Sequence, residues 1–206
     1  LHIRATTEDK NLQNIEGITQ LQKKFEKINT DLSKLFIFDP FPIKLQRCGK
    51  QSAFGGKDGV VLCVEFVDKI QKSLQDKQKA TNVLLFAIFH EIGHVLLYQW
   101  EYPFFDNEEL ADEFSTALLV MLRQKDRLSA SAEFFISNPA AQELMAKAFQ
   151  SDRHPLSIQR ARNILDWMKD PSRVVKWQLF LIPHMQTNML QKLKKEVQSE
   201  SLQRAI

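Results

Sequence analysis

Glycine is scarce in this chain, with six in 206 residues, about 3% against a usual ~7%. A fold built from many tight hairpins would lack its turn residues, so the scarcity predicts a helix-rich protein. Cysteine is scarcer still. Cys48 and Cys63 are too few for a disulfide scaffold, although a single clasp is open to them. No uninterrupted apolar run is longer than Val83–Phe89, well short of the roughly 18 to 20 residues that cross a bilayer, and no membrane span is expected. Charge of one sign is not concentrated anywhere. The 28 basic and 25 acidic side chains leave a net +3 without the block of like charge that would bind a nucleic acid. With 44% hydrophobic and 26% charged residues the composition is that of a globular chain, not a disordered one.

The length suits one domain over 1–206. Within it we distinguish an N-terminal amphipathic helix (1–36), a core (42–167) and C-terminal helices (171–206), with no linker or repeat between them. Leu1 is not methionine, and a removed export signal is among the natural explanations. From Leu12 to Leu35 apolar residues recur at spacings of three and four, which predicts an amphipathic helix. Asp39-Pro40-Phe41-Pro42 ends it. Two β-like runs follow, Ile43–Cys48 and Val60–Phe66, flanking a segment that holds four of the six glycines. They predict one hairpin. Phe54-Gly55-Gly56-Lys57-Asp58-Gly59 lacks phosphate-loop spacing and is read as its turn. A helical period begins at Glu65, and a second, almost wholly apolar helix is expected over Ala80–Tyr98, central and buried. Further helices are predicted over Asn107–Arg123, capped by Asp106 or Asn107, and over Ala130–Ser137, Pro139–Phe149, Leu156–Met168, Pro171–Phe180 and Met185–Ser199.

The apolar helix carries His90-Glu91-Ile92-Gly93-His94, an HExxH sequence. Histidines at i and i+4 share one helical face and can give two imidazole nitrogens to one Zn²⁺, while Glu91, one step round, can reach a water at the metal. Burying His, Glu and His among apolar residues costs several kcal/mol unless they are paired or metal-bound. The bland alternative is a pair of core histidines bonded to backbone. Gly93 costs about 1 kcal/mol relative to Ala in a helix and marks a close approach of another element.

A working zinc site needs a third protein ligand and an open position. Glu108, Glu109, Asp112 and Glu113 follow on the next helix, with Glu108 and Asp112 on one face. Small Ala111 and Ser115 flank that face and allow close packing, which favours Glu108 over Glu109 as ligand. Asp112 would then orient a ligating histidine through its other ring N–H. A solvated acidic first turn is the alternative, and it is kept for Glu109 and Glu113.

HEIGH followed by Glu108-x-x-Ala111-Asp112-x-Phe114 resembles the gluzincin metallopeptidases. Cys48-Gly49, Ala53-Phe54, Leu62-Cys63 and Glu65 upstream, with Asp152-x-His154-Pro155-Leu156, Gln159-Arg160 and Asn163-Ile164 downstream, are similar to a family of small exported bacterial zinc metallopeptidases. The His-Pro and Arg are also similar to features of the HtpX-like and CAAX-prenyl-protease-like peptidases. The resemblance covers roughly Pro42 to Trp167. It implies an α+β, mainly helical, zincin-like domain with a short β-hairpin or small sheet beside the active-site helix, secreted or periplasmic, acting on a peptide or protein substrate. His90, His94 and Glu108 would be zinc ligands, Glu91 the general base, and His154 or Arg160 a support for the oxyanion; a turn or capping role is the alternative for His154. In such folds an edge strand pairs with extended peptide, for which Val60–Phe66 is the candidate here. Cys48 and Cys63 lie symmetrically about Gly55-Gly56, so a disulfide could clasp the hairpin, reduced buried thiols being the alternative. A further cysteine of that family's C-terminal part is absent. A competing class is a catalytically silent binding protein that uses the same ligands to hold its fold.

Overall fold

The computed structural model describes residues 3–7, 18–74, 76–124 and 158–204, with the single positions 128, 129, 132 and 136. The chain runs β1 (Ile3–Thr7), α1 (Ile18–Leu35), β2 (Phe41–Gln46), β3 (Ala53–Gly56), β4 (Gly59–Cys63), α2 (Val64–Ser73), α3 (Lys77–Gln99) and α4 (Glu108–Met121). After the undescribed stretch come α5 (Ile158–Lys169), α6 (Pro171–Leu181), a 3₁₀ turn (Ile182–His184) and α7 (Thr187–Arg204). The architecture is α+β and mainly helical. The expected helices at Ala130–Ser137 and Pro139–Phe149 lie outside the continuously described residues.

One four-stranded sheet has the order β1-β2-β4-β3. The hairpin differs from the one expected. β2 and β4 pair in parallel, Ile43 opposite Val60 and Gln46 opposite Cys63, and the antiparallel partner of β4 is β3, with Phe54 opposite Val61 and Gly56 opposite Gly59. The turn is therefore Lys57-Asp58, not Gly55-Gly56. Gly59 adopts φ 101°, and a Cβ there would stand 2.4 Å from the Pro42 carbonyl oxygen, so the start of β4 beside β2 needs glycine. β4 also ends at Cys63 and passes straight into α2, so the run Val60–Phe66 is part strand and part helix. The stretch 1–36 expected as a helix is not helical throughout: Ile3–Thr7 form β1, whose parallel pairing with β2 completes the sheet, and among the described residues only Ile18–Leu35 of that stretch are helix.

Alternation in β2 buries Phe41, Ile43 and Leu45 and leaves Pro42, Lys44 and Gln46 half-buried, the period of a strand with one covered face. On α1 the buried Phe25, Ile28 and Leu32 keep the helical spacing seen in the sequence. Around these α3 forms the axis of the core, with Val83, Leu84, Phe86, Ala87, Ile88 and Phe89 all buried. The whole helix, polar residues included, has the length and composition to cross a membrane, yet 89% of its most apolar window is buried inside the fold. Asp76 caps its start, accepting from the backbone N–H of Gln78 at 2.8 Å and Lys79 at 3.1 Å. Cys48 and Cys63 are disulfide-bonded. The bond joins the loop just beyond the end of β2 to the last residue of its parallel neighbour β4, not two arms facing across a hairpin.

Candidate metal centre

α3 and α4 touch almost backbone to backbone beside the HExxH turn. A Cβ at Gly93 would stand 2.6 Å from Ser115 Oγ, and that hydroxyl donates to the Phe89 carbonyl at 2.9 Å. Asn107 caps α4, its side chain accepting from Leu110 N at 3.0 Å, so Glu108 opens the helix facing α3. Glu109 beside it is exposed. Glu113 is not a solvated acid: it is buried and paired with Arg173 at 3.1 Å and Lys176 at 3.5 Å of α6.

Each histidine is oriented through its Nδ1. His90 donates to Asp112 Oδ1 at 2.8 Å, and His94 donates to the Phe105 carbonyl at 2.8 Å. Carbonyl and carboxylate oxygens only accept, so each Nδ1 carries a proton and each Nε2 is the atom turned inward. Those two Nε2 atoms are 3.1 Å apart. Glu108 brackets them, with Oε2 3.0 Å from His90 Nε2 and Oε1 3.3 Å from His94 Nε2. The ligand atoms of His90, Glu91 and His94 lie within 4.8 Å of one another. Both carboxylate oxygens of Glu91 are buried and have no hydrogen-bond partner among the described residues, an arrangement that costs several kcal/mol unless a cation or water answers it.

Burial opposes charge on His90, but the Asp112 carboxylate outweighs it through its charge and hydrogen bond, with Glu108 and Glu91 adding, and raises the imidazole pKa to about 10. The cause is a surplus of buried negative charge around two imidazoles, which is an electrostatic demand for a cation. Two Nε2 atoms facing each other, an unanswered carboxylate and that surplus together fit a metal ion, which would take the place of any proton held between them. They do not fit two core histidines satisfied by backbone.

β3 presses on the same turn of α3. A Cβ at Gly55 would lie 2.1 Å from the Glu91 carbonyl oxygen, so the edge of the sheet rests on the backbone of the HExxH segment. That edge is β3; β4, expected from the sequence to be the edge, is interior.

The model of the family DUF4344, described as putative metallopeptidase, matches residues 5–180. The chain belongs to this family. No curated protein and no solved structure matches it. The family match spans all five of the residues converging on the centre, His90, Glu91, His94, Glu108 and Asp112. His154 lies outside the described residues. Arg160 is on α5, and only its place on that helix is described. Two contributors carried no sequence signal. The Phe105 carbonyl that orients His94 is backbone, which side-chain motifs do not record, and Gly55 was read as turn because glycine pairs are common there.

Proposed function

We propose that the protein is a zinc metallopeptidase of the gluzincin type, with His90, His94 and Glu108 holding the ion and Glu91 acting as general base. The carrying observation is the triangle of Nε2, Nε2 and carboxylate oxygens with sides of 3.0 to 3.3 Å. Ligands held about 2.0–2.1 Å from a tetrahedral zinc stand roughly 3.3 Å apart. When bound, zinc supplies Lewis acidity, polarising a carbonyl and lowering the pKa of water. Glu91, adjacent in sequence and unpaired, takes the proton of the attacking water and returns it to the leaving amine. Asp112 and the Phe105 carbonyl hold the two imidazoles in the orientation that turns Nε2 toward the ion. An extended peptide would add to the free edge of β3, above Glu91. The resemblance alone assigns His154 or Arg160 to steadying the oxyanion. A disulfide fits an oxidising, exported setting.

The test separates ligand from base. His90→Ala or His94→Ala should lose zinc, whereas Glu91→Gln should keep zinc and fold but lose hydrolysis of a peptide library by several orders of magnitude. Equal processing by wild type and Glu91→Gln would refute the peptidase reading and favour the silent binding protein.

A further inference from the structure

The loop joining α3 to α4 does more than hold His94. It borders a cleft of about 550 Å³ whose lining includes Tyr98, Tyr102, Phe104 and Phe105, together with Asp39 and Glu101 and, among the described residues, no basic one. Phe104 is 72% exposed, an unfavourable place for so large an apolar group. Its backbone has φ 65°, a left-handed conformation that a non-glycine residue holds only when its surroundings impose it. Here they do, since Asn107 N donates to the Phe104 carbonyl at 2.9 Å and the next carbonyl, that of Phe105, accepts from His94. The rings are organised as well. Tyr98 and Phe105 meet edge to face at 5.1 Å, and Tyr102 packs on buried Trp177 at 5.4 Å.

The cleft and the metal centre are built on the same elements, α3 and the loop that follows it, in two ways. Tyr98 follows His94 by four residues, one turn further along the same face of α3, about 6 Å on. Phe105 is bonded to His94 through its carbonyl. A peptide extended from the centre reaches the aromatic wall in about two residues.

We infer that this cleft is the recognition subsite of the same centre, taking a large apolar side chain of a peptide together with a neighbouring lysine or arginine. The rings supply the surface for the apolar group and faces for a cation, and Asp39 and Glu101 supply the complementary charge. The identity of the occupant as substrate rests on the peptidase reading.

The experiment uses zinc-loaded Glu91→Gln protein, so that binding is read without turnover. Fluorescein-labelled decapeptides in a Gly/Ser background carry Phe-Lys, Lys-Phe, Phe-Glu or Ala-Lys at the centre, and affinity is measured by anisotropy. The better of the two Phe/Lys orders should bind about tenfold more tightly than Phe-Glu or Ala-Lys. Phe104→Ala should remove the preference for Phe, and the pair Asp39→Asn with Glu101→Gln the preference for Lys. No binding, equal affinities of all four peptides, or preferences untouched by both variants would overturn the inference. Cleavage by the wild type is scored separately: preferential binding without cleavage by zinc-loaded wild type would overturn the peptidase reading and leave the cleft standing, and cleavage without preference would do the reverse.

Discussion

Gly55→Ala probes the junction on which the proposed substrate edge depends. The added Cβ would lie 2.1 Å from the Glu91 carbonyl oxygen, 2.8 Å from its carbonyl carbon and 2.9 Å from its Cα. All three are backbone atoms inside a helix and none can rotate aside. To restore ordinary contact at 3.4 Å from 2.1 Å, β3 must retreat by about 1.3 Å. Displacement on that scale in a packed region costs about 1–3 kcal/mol, and backbone on both sides places this case at the upper end, about 3 kcal/mol. For a chain of this size that is roughly a 6–12 °C fall in Tm. Gly56 is the internal control, because a Cβ there meets nothing within 4 Å; Gly56→Ala should stay within about 0.5 kcal/mol of wild type. Urea denaturation of the three proteins gives the comparison. A peptide-cleavage assay should show Gly55→Ala losing activity beyond its loss of folded protein, with zinc content retained, since the edge moves while His90, His94 and Glu108 belong to α3 and α4. Equal stability of the two alanine variants would refute the packing argument.

Asp112→Ala leaves His90 Nδ1 without its acceptor and should weaken metal binding by about 10- to 100-fold in a chelator competition, with unaltered affinity removing Asp112 from the site's support. Reduction of the Cys48–Cys63 bond, which spans 15 residues, should destabilise by about 3 kcal/mol; intact mass under non-reducing conditions should be two hydrogens lighter, and two freely alkylated thiols would contradict it. Glu65 accepts from the backbone N–H of Cys48 at 3.1 Å and of Gly49 at 3.0 Å. Burial opposes its charge, but those donors, helped by Arg47, hold its pKa below the ordinary 4.5. A depressed carboxylate pKa stabilises above the unfolded value and the contribution disappears as pH falls through the folded one. Glu65→Gln should therefore cost about 1 kcal/mol at pH 7, and the gap to wild type should close in acid; a gap that persists or widens there contradicts the assignment.

Much of the centre could be read in one dimension because its parts are local. His90, Glu91 and His94 lie within five residues on a helix, and the 3.6-residue period alone places both imidazoles on one face. Glu108 and Asp112 repeat that logic on the next helix, and small Gly93, Ala111 and Ser115 announced that the two helices approach closely. The amphipathic stripe of α1, the apolar length of α3 and the proline and asparagine boundaries are also local properties, and their helices formed within a few residues of the expected limits in the described parts of the chain.

Strand pairing was not local. Alternation identifies a strand and its buried face, but it carries no information about which neighbour receives the hydrogen bonds, so two runs flanking a glycine-rich segment were read as a hairpin. In the fold the residues between the two runs form β3, which pairs with β4 at the edge of the sheet, while β2 and β4 run parallel and β1 lies alongside β2. The pairing Cys48–Cys63 was foreseen by symmetry about Gly55-Gly56, yet the actual turn is Lys57-Asp58 and the bond joins the loop just beyond β2 to the last residue of its parallel neighbour β4. The same limit hid Gly55 against Glu91, the Phe105 carbonyl on His94 and the aromatic cleft beside the loop, because each joins residues separated in sequence, through backbone atoms or through surfaces that exist only after packing. Side-chain type and helical period are set residue by residue, and they suffice to pick out the residues able to hold a metal. Which edge stands over them, and what the walls of the cleft are made of, depend on long-range contacts whose partners no local period encodes.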